Sequence, residues 1–304
     1  MDKIYKQYEK VIPKRIFYEI ETKGIRLSEI TEIRIRKGQN VLVRKKQGFM
    51  ILSPVTDEEI EDYFLKLCQY SPYAYKEELN ECYLSFEGGF RIGICGQMSE
   101  GEGDRKTLRF INGINIRFHN QWRGVSNPYL QYLSQDMTII NTIIVSVPGG
   151  GKTSFLRDLI RNISNGTKEM KEHQVSLIDE RNEISGLYLG RPQLDVGRNT
   201  DILSYEKKSL GMIRMIRSMA PEVLAFDELG EETEYEIIKR AFYSGIRIVC
   251  TIHGKDYTGL LSNRKLMELL DSGMLQRIVY LSSADNPGQV LTITDAKNHL
   301  IYKA

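Results

Sequence analysis

The sequence predicts an α/β chain, with a core on a mostly parallel sheet preceded by an N-terminal α+β domain. Three observations carry this. From about residue 125 onward, short apolar runs of strand length alternate with helical stripes, the order that builds a parallel sheet covered by helices. Before that point apolar and polar residues alternate in paired runs joined by turn residues, an antiparallel pattern. The length, 304 residues, exceeds one small module and suits two domains of roughly 100–200 residues each.

Residues 1–26 read as a helix with Ile4, Tyr8, Val11, Ile12 and Ile16 on one face, interrupted near Pro13, whose ring is not tolerated inside a helix. Ile33, Ile35, Val41 and Val43 then alternate with polar residues on either side of Lys37-Gly38-Gln39-Asn40, a strand–turn–strand signature. Residues 57–70 are amphipathic. Thr56 is the expected cap, Glu59 stands at the capping-box position, and Ile60, Phe64 and Leu67 form the stripe. Strand patterns follow at 81–96, with Gly88-Gly89 as a hairpin turn, and at 111–118. Residues 101–104 form a polar loop. The stretch 120–128 has no strong periodicity and carries Gly124, Ser126, Asn127 and Pro128, so the domains are placed at 1–124 and 125–304. In the core, strand patterns occupy 138–147, 174–178, 223–226 and 246–250, and helical patterns 153–164, 205–219 and 233–243. The last segments, 277–281, 289–294 and 299–302, read as a small antiparallel meander with Asn286-Pro287-Gly288 at one turn.

Composition narrows the functions. With 41% hydrophobic and 27% charged residues the chain is an ordinary globular one, which excludes general disorder. Lys and Arg number 42 against 40 Asp and Glu, a net charge of +2; divided at residue 125 the counts are 21 basic and 18 acidic, then 21 and 22. Neither half carries the basic stripe of a polyanion binder, so no nucleic-acid partner is expected. Cys68, Cys82, Cys95 and Cys250 form no CxxC and no zinc-type spacing with His, and reduced thiols are expected. The N-terminus lacks the apolar stretch of a signal peptide. The longest apolar-rich run, 138–147, falls far short of the ~20 residues that span a bilayer. A cytoplasmic protein is expected, reaching any membrane through partners.

The sharpest feature is Ser146-Val147-Pro148-Gly149-Gly150-Gly151-Lys152-Thr153, followed by Ser154, between a buried strand pattern and a helix pattern. That is the setting of a P-loop. Backbone N–H groups of such a turn cradle phosphate oxygens, and the helix N-terminus adds partial positive charge. Pro148, Gly149, Gly150, Gly151, Lys152, Thr153 and Ser154 are therefore candidate nucleotide-binding residues, with Lys152 reaching the β- and γ-phosphates and Thr153 holding Mg²⁺. Ser146 stands where the motif asks for its first glycine.

Val223-Leu224-Ala225-Phe226-Asp227-Glu228 is an apolar run ending in two acids, a Walker B pattern. Asp227 is the candidate metal partner and Glu228 the candidate general base. Residues 177–183 are a second strand ending in acids; Asp179 and Glu180 either face the same phosphates, Asp179 as a metal ligand, or belong to a turn salt-bridged by Arg181. Thr251 and His253 end a third strand, where His253 either attends the γ-phosphate or is structural. Arg214 and Arg217 share a helix face before Walker B, and Arg217 is the one placed to pair with an acid of the site. Arg91, Arg109, Arg117 and Arg123 are candidate phosphate arginines supplied from outside the core, each also readable as a solvated surface residue.

The order of these features, residues 146–153, 179–183, IRMIRSMAPEVLAFDE at 213–228 and TIH at 251–253, resembles the type II and type IV secretion, or traffic, ATPases. The stretch EIRIRKGQNVLVRK is similar to that family's N-terminal strand pair. Within the family the chain looks most like a member made during endospore formation, on LIDERNEISG, GRPQLDVGRNTDIL, MIRSMAPEVLAFDELG, GGFRIGICGQ and INIRF. Asp227-Glu228 stands where many secretion ATPases have Gly-Glu. The resemblance implies a RecA-like P-loop NTPase that binds ATP and Mg²⁺ and works as a ring, expected to be a hexamer. Lys152, Thr153, Glu228, His253 and Arg217 take the family roles, with Arg91 and Arg117 as phosphate arginines. It further implies a place on the mother-cell side of the forespore membranes, powering a secretion-like channel of membrane proteins. Two other readings stay open: a nucleic-acid motor or loader, and a nucleotide-gated assembly factor that barely turns over.

Overall fold

A computed structural model of the chain describes residues 3–45, 47–100, 106–118, 122–204, 206–282 and 287–304. The loop expected at 101–104, the start of the helical pattern at Tyr205, Asn286, and the side chains of Ile4 and Arg109 lie outside the described residues. The chain divides into two compact units, one of residues 1–120 with 186–193 and the other of 121–185 with 194–304.

In the first unit Pro13 splits the expected helix into α1 (Lys3–Val11) and α2 (Lys14–Thr22), serving as N-cap of the second. Tyr8, Val11, Ile12, Ile16 and Ile20 are buried against a six-stranded sheet. Its strands are β1 (Ile30–Arg36), β2 (Asn40–Lys45), β3 (Phe49–Pro54), β4 (Tyr83–Phe86), β5 (Phe90–Glu100) and β6 (Lys106–Arg117). They run antiparallel in the order β3-β2-β1-β6-β5-β4. The register brings Ile33 opposite Val43 and Ile116, and Ile116 opposite Ile92, so the alternation in sequence becomes one buried face. Strand β3 follows a continuous apolar run, not an alternating one, and the periodicity did not announce it. Helix α3 (Asp57–Leu67) carries the expected capping box between Thr56 and Glu59, and α4 (Lys76–Asn80) precedes β4. Tyr8 stacks on Phe118 at 4.5 Å, with Phe90 edge-on to both.

The second unit opens with α5 (Leu130–Leu133) and a small hairpin, β7 (Ser134–Gln135) and β8 (Thr138–Ile139). Then come β9 (Thr142–Ser146), α6 (Lys152–Asn165), β10 (Val175–Asp179), β11 (Thr200–Ser204), α7 (Lys208–Met219), β12 (Val223–Phe226), α8 (Glu232–Tyr243) and β13 (Arg247–His253). The chain closes with α9 (Tyr257–Leu260), α10 (Arg264–Asp271), β14 (Arg277–Leu281), β15 (Val290–Asp295) and β16 (Leu300–Lys303). The sheet order is β11-β10-β12-β13-β9-β14-β15-β16. The first six strands are parallel. The expected terminal meander is only partly that: β14 pairs parallel with β9, and only β15 and β16 add antiparallel. The reason is burial, since Ile278, Val279, Tyr280 and Leu281 are covered on both faces like the other central strands.

Strand β9 is buried at every position. Ile143 and Val145 face the layer of α7, α8 and α10, while Ile144 faces α5 and α6. Each such side chain contributes about 1.5–3 kcal/mol when fully buried. Strand β13 stands between β9 and β12, with His253 level with Ser146 and Cys250 level with Phe226. The C-terminal ends of β9, β13, β12 and β10 therefore share one edge of the sheet, where an open α/β sheet places its ligand.

Candidate functional site

Helix α6 begins at that edge without a side-chain cap. Its N-cap is Gly151, at φ +89°, and Gly149 is also left-handed at φ +77°. The first-turn N–H groups of such a helix have no intrahelical acceptor and face outward. The turn is tight. A Cβ at Gly150 would strike the Ser146 hydroxyl and come within 2.6 Å of the Ser282 carbonyl oxygen; one at Gly151 would come within 2.9 Å of Gly288 Cα. Gly288 N–H donates to the Gly150 carbonyl at 2.9 Å, docking the turn on the segment before β15. Ser146 itself has no positive φ, so the missing first glycine removes no backbone freedom that this turn uses.

Lys152 is buried, and its ammonium lies back along the turn. Nζ donates to the carbonyls of Ser146 at 3.0 Å and Val147 at 3.4 Å, and sits 3.0 Å from His253 Nδ1. Burial lowers its pKa, while the Asp227 and Glu228 carboxylates oppose that. An ammonium has only donors, so His253 Nδ1 is the acceptor and the ring proton is assigned to Nε2. That Nε2 meets Glu228 Oε1 at 2.8 Å, and Arg181 Nη1 lies 3.3 Å from the other carboxylate oxygen. Burial pushes the Glu228 carboxyl up, but the hydrogen bond from His253 with the Arg181 and Lys152 charges outweighs it and holds the group below the usual carboxylate range. Thr153 Oγ1 donates to Asp227 Oδ2 at 2.8 Å, and the Thr251 hydroxyl donates to Asp227 Oδ1. Lys152, Thr153, Asp227, Glu228 and His253 thus converge from two strand ends and one helix start.

Other expected residues are placed differently. Asp179, expected at a metal, spends both oxygens on its own turn: Oδ1 accepts from the N–H groups of Glu183 and Ile184, and Oδ2 from the N–H and hydroxyl of Ser185. Buried Arg157 closes the same turn by donating to the Glu183 and Ile184 carbonyls, and burial lowers its pKa to about 10. Glu180 is exposed, 4.0 Å from Lys208 Nζ. Arg217, expected to pair with an acid of the site, is exposed on α7 and makes no ion pair with a described residue. Pro148 and Gly149 are exposed, and Ser154 is half-buried in the first turn of α6. Arg91 and Arg117 belong to the first unit, directly opposite each other on β5 and β6, with Arg91 over the Tyr83 ring at 4.1 Å.

Sequence reasoning missed two residues. Lys208 and Glu234 are both buried, 3.1 Å apart, beneath the turn that carries Glu228. Their burial is a tertiary property, and a lysine or glutamate in a helical pattern gives no sign of it.

A family model described as sporulation stage III, protein AA, matches residues 2–301. The chain belongs to the sporulation stage III protein AA family. It is 35% identical over 276 residues to stage III sporulation protein AA of Bacillus subtilis (strain 168), covering 90% of each chain. It is also 31% identical over 162 residues to the ycf45 protein of Cyanidium caldarium, covering 53% of this chain and 46% of that one. Among solved structures, the Legionella pneumophila ATPase DotB matches with TM-score 0.62 at 11% identity, over 94% of this chain and 83% of DotB. The ADP-bound pilus retraction motor PilT matches with TM-score 0.58 at 14% identity, over 88% and 76%. The fold of this family member is that of the P-loop secretion ATPases. Among the described residues, no helix is long and apolar enough to cross a membrane.

Proposed function

We propose that this chain is a Mg²⁺-dependent ATP hydrolase acting as a motor in endospore formation. The observation that carries it is the convergence of Lys152, the Thr153–Asp227 pair and the His253–Glu228 pair on one uncapped, Gly-rich helix start. The residues suit the groups they would hold. Side chains at 150 and 151 would clash with Ser146, Ser282 and Gly288, so only glycines let the turn close in this shape. Among the described residues no cluster of three or more His, Cys, Asp or Glu could hold a metal alone. One hydroxyl beside one carboxylate is the donor set of a Mg²⁺ that keeps waters and takes phosphate oxygens. Mg²⁺ held at Thr153 and Asp227 would neutralise charge on the phosphates.

Lys152 exchanges its backbone carbonyls for phosphate oxygens, and the N–H groups at 149–153 fix the rest of the anion. Released from Lys152, His253 is free to turn toward the terminal phosphate. Glu228, ionised because its carboxyl is held low, accepts a proton from the water that attacks in line. Arg217, Arg91 and Arg117 are the proposed arginines for the developing charge, within a ring that we take to be a hexamer. The ring would work a membrane-embedded channel from the mother-cell side, so the chain is peripheral through its partners. Support for this part is the family membership and the secretion-ATPase fold.

Phosphate release by the purified chain with Mg²⁺ and ATP tests the reading. Glu228→Gln should lower kcat by about 10²–10⁴ with nucleotide still bound, and Lys152→Ala should lose phosphate binding. Parent-like turnover in either variant rejects the site, and a chain that sediments as a monomer with Mg²⁺ and ATP rejects the ring.

A further inference from the structure

The turn that follows β12 has no regular structure, yet its polar groups are anchored one by one. Glu228 sits in the left-handed region at φ +53°. Its N–H donates to Thr251 Oγ1 at 2.9 Å and its carbonyl accepts from Lys208 Nζ at 2.5 Å. Leu229 N–H donates to the Thr251 carbonyl at 2.7 Å. Gly230 and Glu231 N–H groups donate to Glu234 Oε2 at 2.9 and 3.1 Å. Glu234 has no exposed surface and Lys208 only 7%, and the second Glu234 oxygen lies 3.1 Å from the Lys208 ammonium.

Glu234 is the third residue of α8 and closes a capping box with Glu231. Capping alone does not explain it. A capping carboxylate needs one oxygen and works at the surface. Burying it with a lysine under it takes two charges out of water, which is unfavourable unless the geometry is used. Here it is used: ammonium and carboxylate together hold the carbonyl of Glu228 and the two N–H groups that follow Leu229. We infer that Lys208 and Glu234 are positioning residues that fix the left-handed Glu228 peptide and thereby aim its carboxylate at the reacting water. This rests on the hydrolase reading, in which Glu228 is the base.

The test uses the full chain and two variants, Lys208→Met and the double Lys208→Met/Glu234→Gln. Amide hydrogen exchange at 229–231, Mg·ATP affinity, turnover and Tm are read for each. In Lys208→Met, exchange at 229–231 should accelerate and turnover should fall about a hundredfold, with Mg·ATP affinity within about twofold of the parent. The double variant leaves no buried unpaired charge; Tm should recover while turnover does not. Unchanged exchange at 229–231 overturns the inference, as does turnover that recovers together with Tm. A parent chain that does not hydrolyse ATP defeats the hydrolase reading instead, and the exchange data still decide the anchoring.

Discussion

His253 links two residues of the site, since it takes a hydrogen bond from Lys152 and gives one to Glu228. Replacing it by Ala removes the strongest influence holding the Glu228 carboxyl down, against a burial effect that pushes it up. The carboxyl then titrates higher, so the acid limb of the kcat/KM profile should move toward neutral pH in His253→Ala, with Mg·ATP binding kept; an unmoved limb contradicts the coupling. The Gly-rich turn and the Asp227-Glu228 pair were legible because their chemistry is local: a turn needing left-handed glycines and acids just after an apolar run. Asp179 stays open in the sequence between phosphate edge and turn for the opposite reason. Its strand end looks like the others, and only the folded turn shows that Glu183, Ile184 and Ser185 already occupy its oxygens.

Helix α6 joins the Gly-rich turn to the segment at 124–126, and one carboxylate makes that joint. Asp158 is buried and accepts from the N–H groups of Gly124 and Ser126, the Ser126 hydroxyl and Arg161. Burial raises its carboxyl, but these donors outweigh it and hold it below the ordinary value. A depressed folded pKa stabilises the protein above the unfolded value, about 3.9, and that contribution is lost as pH falls through the folded value. Asp158→Asn should cost about 1–3 kcal/mol in urea unfolding at neutral pH and flatten the loss of stability on acidification. A variant as stable as the parent, with the same acid slope, contradicts this. Among the elements, α3 was legible down to its capping box because that signal lies within four residues. Strand β11 was not, as each of its residues is only half-buried and its pairing to β10 is non-local. The parallel pairing of β14 with β9 joins segments over a hundred residues apart, a distance no local pattern records.

At the scale of the whole chain the change from period-two alternation to alternating strands and helices announced two kinds of architecture, and both are present. Nothing in the sequence of 186–193 marks that segment as clustering with the first unit, where Tyr188 meets Phe86 and Gln193 receives the Gly88 N–H. The parts that were legible are those in which chemistry repeats at short range; the rest depend on which segments fold together. In the proposed site the turn at 148–153 would wrap the phosphates of ATP while Thr153 and Asp227 would hold its metal. A crystal structure of the chain with Mg²⁺ and a non-hydrolysable ATP analogue tests it most directly. Lys152 Nζ should then be released from the Ser146 carbonyl and bonded to phosphate oxygens, with Thr153 and Asp227 as the residues holding the cation. Lys152 still bonded to Ser146 and His253, with the analogue elsewhere or absent, would contradict it.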